Sequence, residues 1–200
     1  PVEMGAYTRD ERKMEPNHYR TIADAVEASL PGDTIGKRQQ CHDSTPKTHH
    51  SPTTRLELGD GHYWQNSDLL VEAPLRFIGD EHNPASVVVE MSGTVVWRAT
   101  GGFFEGLTLR RAKLSSDSST SNELLRLDGG RVDMIQSVFD NKGNPSDVIT
   151  VSGRGRKGVW ESVAVMAGSI GISLRNGAEL ELSQVSTQDL PVNDDITRRF

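Results

Sequence analysis

Four stretches decide the fold: Phe104-Glu105-Gly106-Leu107-Thr108, Ile135-Gln136-Ser137-Val138-Phe139, Trp160-Glu161-Ser162-Val163-Ala164 and Leu182-Ser183-Gln184-Val185-Ser186. Each opens on an apolar residue, passes through one or two polar or small residues, and returns to an aliphatic. The aliphatics Leu107, Val138, Val163 and Val185 fall 31, 25 and 22 residues apart. A second column leads them: Trp97, Leu127, Val151 and Leu174, spaced 30, 24 and 23. Glycine follows each within a few residues, at Gly101-Gly102, Gly129-Gly130, Gly153 and Gly177. The surplus length has two sources, the Ser-rich stretch 113–122 and the turn-forming stretch 141–147. Trimmed of these, the period is about 22 residues.

A period of that size, made of short apolar runs and glycine turns, predicts an all-β, right-handed parallel β-helix of five to six coils. Each coil supplies about three short strands, and like aliphatics stack along a narrow bore. Hydrophobic residues make up 34% of the 200-residue chain and aromatics 6%, which suits a bore with little room for large rings. The rival architecture, an antiparallel sandwich, needs hairpins every 8–12 residues but does not require two columns to keep one register.

Upstream, Ile22, Ala25, Val26, Ser29 and Leu30 share one face of a helix over 19–30, with Asp24 and Glu27 pointing away. Pro31-Gly32-Asp33 stops it. Its expected task is to cap the open end of the first coil. Residues 1–18 read as irregular, 19–190 as the β-helix domain, 36–55 as a long polar loop within it, and 191–200 as a tail.

The quoted repeats and the segments before them resemble the pectin-lyase-like right-handed β-helices. The likeness rests on Tyr19-Arg20-Thr21-Ile22-Ala23-Asp24-Ala25-Val26, Pro31-Gly32-Asp33-Thr34-Ile35, Leu56-Glu57-Leu58-Gly59-Asp60-Gly61-His62-Tyr63-Trp64 and Leu75-Arg76-Phe77-Ile78-Gly79. Within that family the nearer likeness is to intracellular modules, those of the β-helix F-box proteins and the SHC-binding spindle-associated proteins. The resemblance implies a non-catalytic module that recognises a protein or peptide, set in a larger cytoplasmic or nuclear protein such as a ubiquitin-ligase substrate adaptor. The secreted, carbohydrate-active branch is the alternative, and a purely structural spacer is a third reading.

Composition narrows the partners. Lys plus Arg number 22 against 28 Asp plus Glu, a net charge of −6, so no global footprint for nucleic acid exists. One cysteine forms no disulfide framework. No apolar run approaches the roughly 20 residues of a membrane span. The chain starts at Pro1 without a methionine, which reads as an excerpt of a longer protein and leaves open a targeting segment upstream, and with it secretion.

Chemistry is sparse. Sugar hydrolysis needs carboxylates held together, yet the only late adjacent acid pair is Asp194-Asp195, and the paired-Asp motif of polygalacturonases and the His-Gly motif that follows it are missing. Gln188-Asp189 matches a methylesterase dipeptide without its second motif. Asp128, Asp133 and Asp140 are the acids a calcium-assisted lyase would recruit, with nothing in the sequence to gather them. Cys41, His42, His49 and His50 fit no closed zinc pattern. His62 and His82 read as isolated turn residues. No catalytic residue, metal or cofactor is expected.

Binding candidates remain. Arg154-Gly155-Arg156-Lys157 is a compact basic loop suited to an acidic or phosphorylated partner, and coil stacking would bring Arg110 and Arg111 near it. Glu105, Gln136 and Glu161 are expected to form an outward polar ladder. Of the three tryptophans, Trp97 and Trp160 fall in inward columns, whereas Trp64 is the candidate exposed anchor for a protein or a carbohydrate.

Overall fold

The computed structural model describes residues 22–28, 34–36, 54–112 and 123–188. The expectations for 1–18, Cys41, His42, His49, His50, the Ser-rich stretch 113–122, Asp189 and Asp194-Asp195 lie outside these residues. Helix α1 (Ile22–Ala28) and strand β1 (Thr34–Gly36) precede five three-strand coils. These are β2 (Thr54–Glu57), β3 (Gly61–Gln65), β4 (Leu69–Val71); β5 (Leu75–Ile78), β6 (Val87–Met91), β7 (Val95–Trp97); β8 (Gly101–Glu105), β9 (Thr108–Arg111), β10 (Leu125–Leu127); β11 (Arg131–Ile135), β12 (Val138–Asp140), β13 (Ile149–Ser152); and β14 (Gly155–Glu161), β15 (Ala164–Met166), β16 (Ile172–Arg175). A sixth coil contributes β17 (Ala178–Ser183) and β18 (Ser186–Gln188). Gly36 and Thr54-Arg55 therefore belong to strands, not to the polar loop between them.

The strands stack into three lateral sheets. Sheet A runs β1-β2-β5-β8-β11-β14-β17, sheet B β3-β6-β9-β12-β15-β18, and sheet C β4-β7-β10-β13-β16. Every described pair is parallel. The fold is a parallel β-helix, and the antiparallel alternative is excluded. Trp97, Leu127, Val151 and Leu174 stand opposite one another in sheet C, as their sequence column requires.

The bore holds more large rings than the composition implied. Phe77, Trp97, Phe104, Phe139 and Trp160 are all buried. Phe77 stacks on Phe104 at 5.2 Å, Phe139 meets Phe104 edge-on at 5.8 Å, and Trp97 lies 5.3 Å from Phe104. Room for this cluster comes from Gly102, where a Cβ would sit 2.0 Å from the Trp97 ring. The indole N–H groups are satisfied by backbone, Trp97 donating to Gly101 O and Trp160 to Val132 O.

One row of the repeat is offset by one residue. Phe104 pairs with Met134 and Glu105 with Ile135, so the second quoted segment begins at Met134 rather than Ile135. The polar ladder on sheet A is accordingly Glu105, Ile135, Glu161, and not Gln136. An aliphatic between two glutamates separates like charges as well as the expected Gln would. Gln136 instead takes the A–B corner with Gly106, Ser162 and Gln184, all at positive φ (46°, 64°, 53° and 54°). The slip also turns Val138 outward and buries Ser137, whose hydroxyl donates to Ile135 O at 2.9 Å.

The two ends differ. Ile22 of α1 joins the core, Ala23 and Val26 pack against it, and the Ala23 N–H donates to Gln65 Oε1 at 3.4 Å. Asp24 and Glu27 face outward, as the helical spacing predicts. At the other end Leu174 and Leu182 remain 50% and 46% exposed.

A candidate binding face on sheet B

Alternation along each short strand sends every second side chain outward. On sheet B two outward columns result. One carries His62, Val88, Thr108, Val138 and Ala164; the other carries Trp64, Glu90, Arg110, Asp140 and Met166. Neighbours in a column are about 4.8 Å apart. The second column thus places acid, base and acid in direct succession, an arrangement stabilised by attraction at each step.

The contacts knit these residues together. His62 Nε2 lies 2.8 Å from Glu90 Oε2, and Lys142 Nζ lies 3.8 Å from Glu90 Oε1. Glu90 is only 4% exposed. A carboxylate so deeply placed needs the Lys142 ammonium, since stripping the charged partner from a buried charge costs about 3–5 kcal/mol. Arg110 Nε meets Asp140 Oδ2 at 3.1 Å, and the other Asp140 oxygen accepts from the Lys142 backbone N–H at 2.9 Å. That second bond pins the turn from which Lys142 reaches back toward Glu90.

Trp64 stands at the edge of this cluster. Its ring lies 5.1 Å from His62, and 38% of the residue is exposed. The 79–86 loop bounds the same face. Thr108 donates its hydroxyl to Pro84 O at 2.9 Å, and Ser86 donates to Asp60 at 2.7 Å, which holds the loop down over Val88 and Thr108. The outcome is an aromatic platform beside a charged ladder whose ions are already paired.

The expected patch does not assemble as the sequence suggested. Arg110 lies on sheet B, whereas Arg154, Arg156 and Lys157 lie at the start of β14, where sheet C turns into sheet A. Arg111 is 2% exposed. Its Nη1 donates to Ser92 O at 3.2 Å and to Gly93 O, its Nη2 donates to Glu123 O at 2.7 Å, and its Nε lies 3.4 Å from Asn141 Oδ1. Burial pushes its pKa below the usual arginine value, against the pull of Asp68 and Glu123. Arg111 is a brace between sheets B and C, not a surface contact.

Within the basic loop, Lys157 Nζ donates to Gly129 O at 3.0 Å and Arg156 pairs with Glu181. Arg154 is exposed, its turn shaped by positive φ at Gly153 and Gly155. Asp128, Asp133 and Asp140 are likewise separated, at the C–A corner, on sheet A and on sheet B. Among the described residues no group of three or more His, Cys, Asp or Glu side chains could hold a metal ion. Glu90 and Asp140 stand two coils apart, roughly 10 Å, with Arg110 between them and each engaged by one cation, Lys142 and Arg110 respectively.

Sequence reading identified Trp64 and Arg110 but missed Glu90, His62 and Lys142 as members of one cluster. Only register joins them, and the 79–86 and 113–122 insertions conceal that register in the sequence. Comparison with family models, curated proteins and solved structures finds no match.

Proposed function

We propose that this β-helix is a non-catalytic recognition module whose sheet B face binds a protein or peptide, within a larger intracellular protein such as a substrate adaptor. The observation carrying this reading is the half-exposed Trp64 indole set against the ladder of Glu90, Arg110 and Asp140. An aromatic anchor beside polar groups with internal partners has the anatomy of an interface centre and rim. Pre-paired charges favour specificity and register over raw affinity. The cluster offers no accessible acid–base pair, because Glu90 is buried and Asp140 is bonded on both oxygens.

A rival reading has Trp64 stack on a sugar ring with Arg110 and Asp140 bonding its hydroxyls. Parallel peptide and glycan arrays, read with wild type and Trp64→Ala, separate the two. The proposed reading expects peptide ligands that Trp64→Ala weakens by about 2 kcal/mol or more, as at interface hot spots, with no saccharide retained. A saccharide hit lost in the same variant, or turnover of polygalacturonate, establishes the rival. Absence of any ligand in both arrays supports a structural spacer.

A further inference from the structure

Between α1 and the first coil lies a cleft of about 490 Å3, within the size range of ligand pockets. Its apolar lining comes from Ala23 and Val26 on the helix, Leu69 and Leu70 on β4, and Pro74 and Leu75 beyond it. Leu69 and Leu75 are each 2% exposed and form a fixed floor, while Leu70 is 45% exposed and lies open to a ligand. The ionisable groups in this lining are Glu27 and Glu72, one on the helix and one on the coil. Among the described residues no cation joins them in the lining, and neither forms an ion pair.

An apolar floor with two carboxylates in its lining complements an aliphatic segment flanked by cations. We propose that this cleft docks a partner peptide presenting an aliphatic pair between Lys or Arg residues. Burial of the aliphatic side chains supplies the affinity, and Glu27 and Glu72 select the flanking charge. An acidic peptide of the same apolar content is repelled by both carboxylates. The site is independent of Trp64, which lies on another sheet.

Fluorescence anisotropy with three labelled tetrapeptides, Arg-Leu-Leu-Arg, Glu-Leu-Leu-Glu and Arg-Ser-Ser-Arg, tests this on the whole chain. The first should saturate at least about ten-fold more tightly than either control, the difference expected from two charge contacts or two buried leucines. Glu27→Lys with Glu72→Lys should transfer the preference to the acidic peptide, and Trp64→Ala should change nothing. Leu70→Asp should weaken the first peptide about ten-fold; if that variant loses its thermal transition, the charge reversal alone decides. Equal binding of the basic and acidic peptides, no saturable binding of the first, or an unchanged preference after charge reversal overturns the proposal.

Discussion

Arg110 and Arg111 are chain neighbours of identical chemistry, and the fold gives them opposite consequences. Replacing Arg111 by methionine keeps most of the volume and removes every donor. The carbonyls of Ser92, Gly93 and Glu123 then lose a charged partner in a site where Arg111 is 2% exposed. Hydrogen bonds to charged groups contribute about 1.5–3 kcal/mol each, so three give a gross loss of about 4–9 kcal/mol. Relief of the buried guanidinium's own desolvation offsets part of this, leaving an expected net destabilisation of about 3–5 kcal/mol. For a chain of this length that corresponds to a fall in Tm of about 10 °C. Arg110→Met breaks one partly exposed pair with Asp140, worth under about 1 kcal/mol. Urea unfolding followed by circular dichroism, with calorimetry for Tm, measures both variants. Equal shifts, or a loss under about 1 kcal/mol for Arg111→Met, would refute the brace.

Other outcomes follow from the same fold. The Tyr63 hydroxyl donates to Gly59 O at 2.6 Å, and burial followed by the charge of Asp60 raises its pKa above the ordinary 10.0. Folding therefore favours the neutral phenol: its contribution is complete below pH 10 and is lost as pH climbs through the raised value, and Tyr63→Phe should flatten that alkaline loss in urea titrations. Gly106→Ala should cost about 2–4 kcal/mol, because its Cβ would lie 2.5 Å from the Asp80 backbone and its φ is positive. Gln136→Gly at the same corner should stay within about 1 kcal/mol in the same assay, since relief of positive φ and the entropy of glycine oppose each other. Lys157→Met should lower stability by about 1 kcal/mol through loss of its bond to Gly129 O, whereas Arg154→Ala should leave Tm unchanged.

The fold was legible because a solenoid repeats its physics along the chain. Trp97, Leu127, Val151 and Leu174 face one bore from successive coils, so each answers the same demand for an apolar side chain. The error of one residue at Ile135 has an equally physical origin. Glu105, Ile135 and Glu161 share an outward, partly exposed position, and such a position accepts either acid or aliphatic. An alignment driven by apolar residues takes Ile135 for the inward residue, when the inward one is Met134, fully buried.

The sheet B cluster was not legible for a different reason. Inward positions are filtered by burial, which leaves a mark on residue type; outward positions are filtered by partners in the next coil, which leaves a mark only on pairs. Glu90 looks like any strand-face acid until Trp64, Arg110 and Asp140 are known to share its column. The separation from Trp64 to Glu90 to Arg110 to Asp140 follows the lengths of loops, not the 22-residue period. Arg111 misled for the same reason: beside Arg110 it reads as half of a basic patch, although alternation along β9 sends adjacent side chains to opposite faces. That alternation was available from the sequence. Applied to Arg110-Arg111 once Leu109 is assigned inward, it returns Arg110 to the surface and Arg111 to the interior, where a guanidinium is tolerated because the corner supplies carbonyls to receive it.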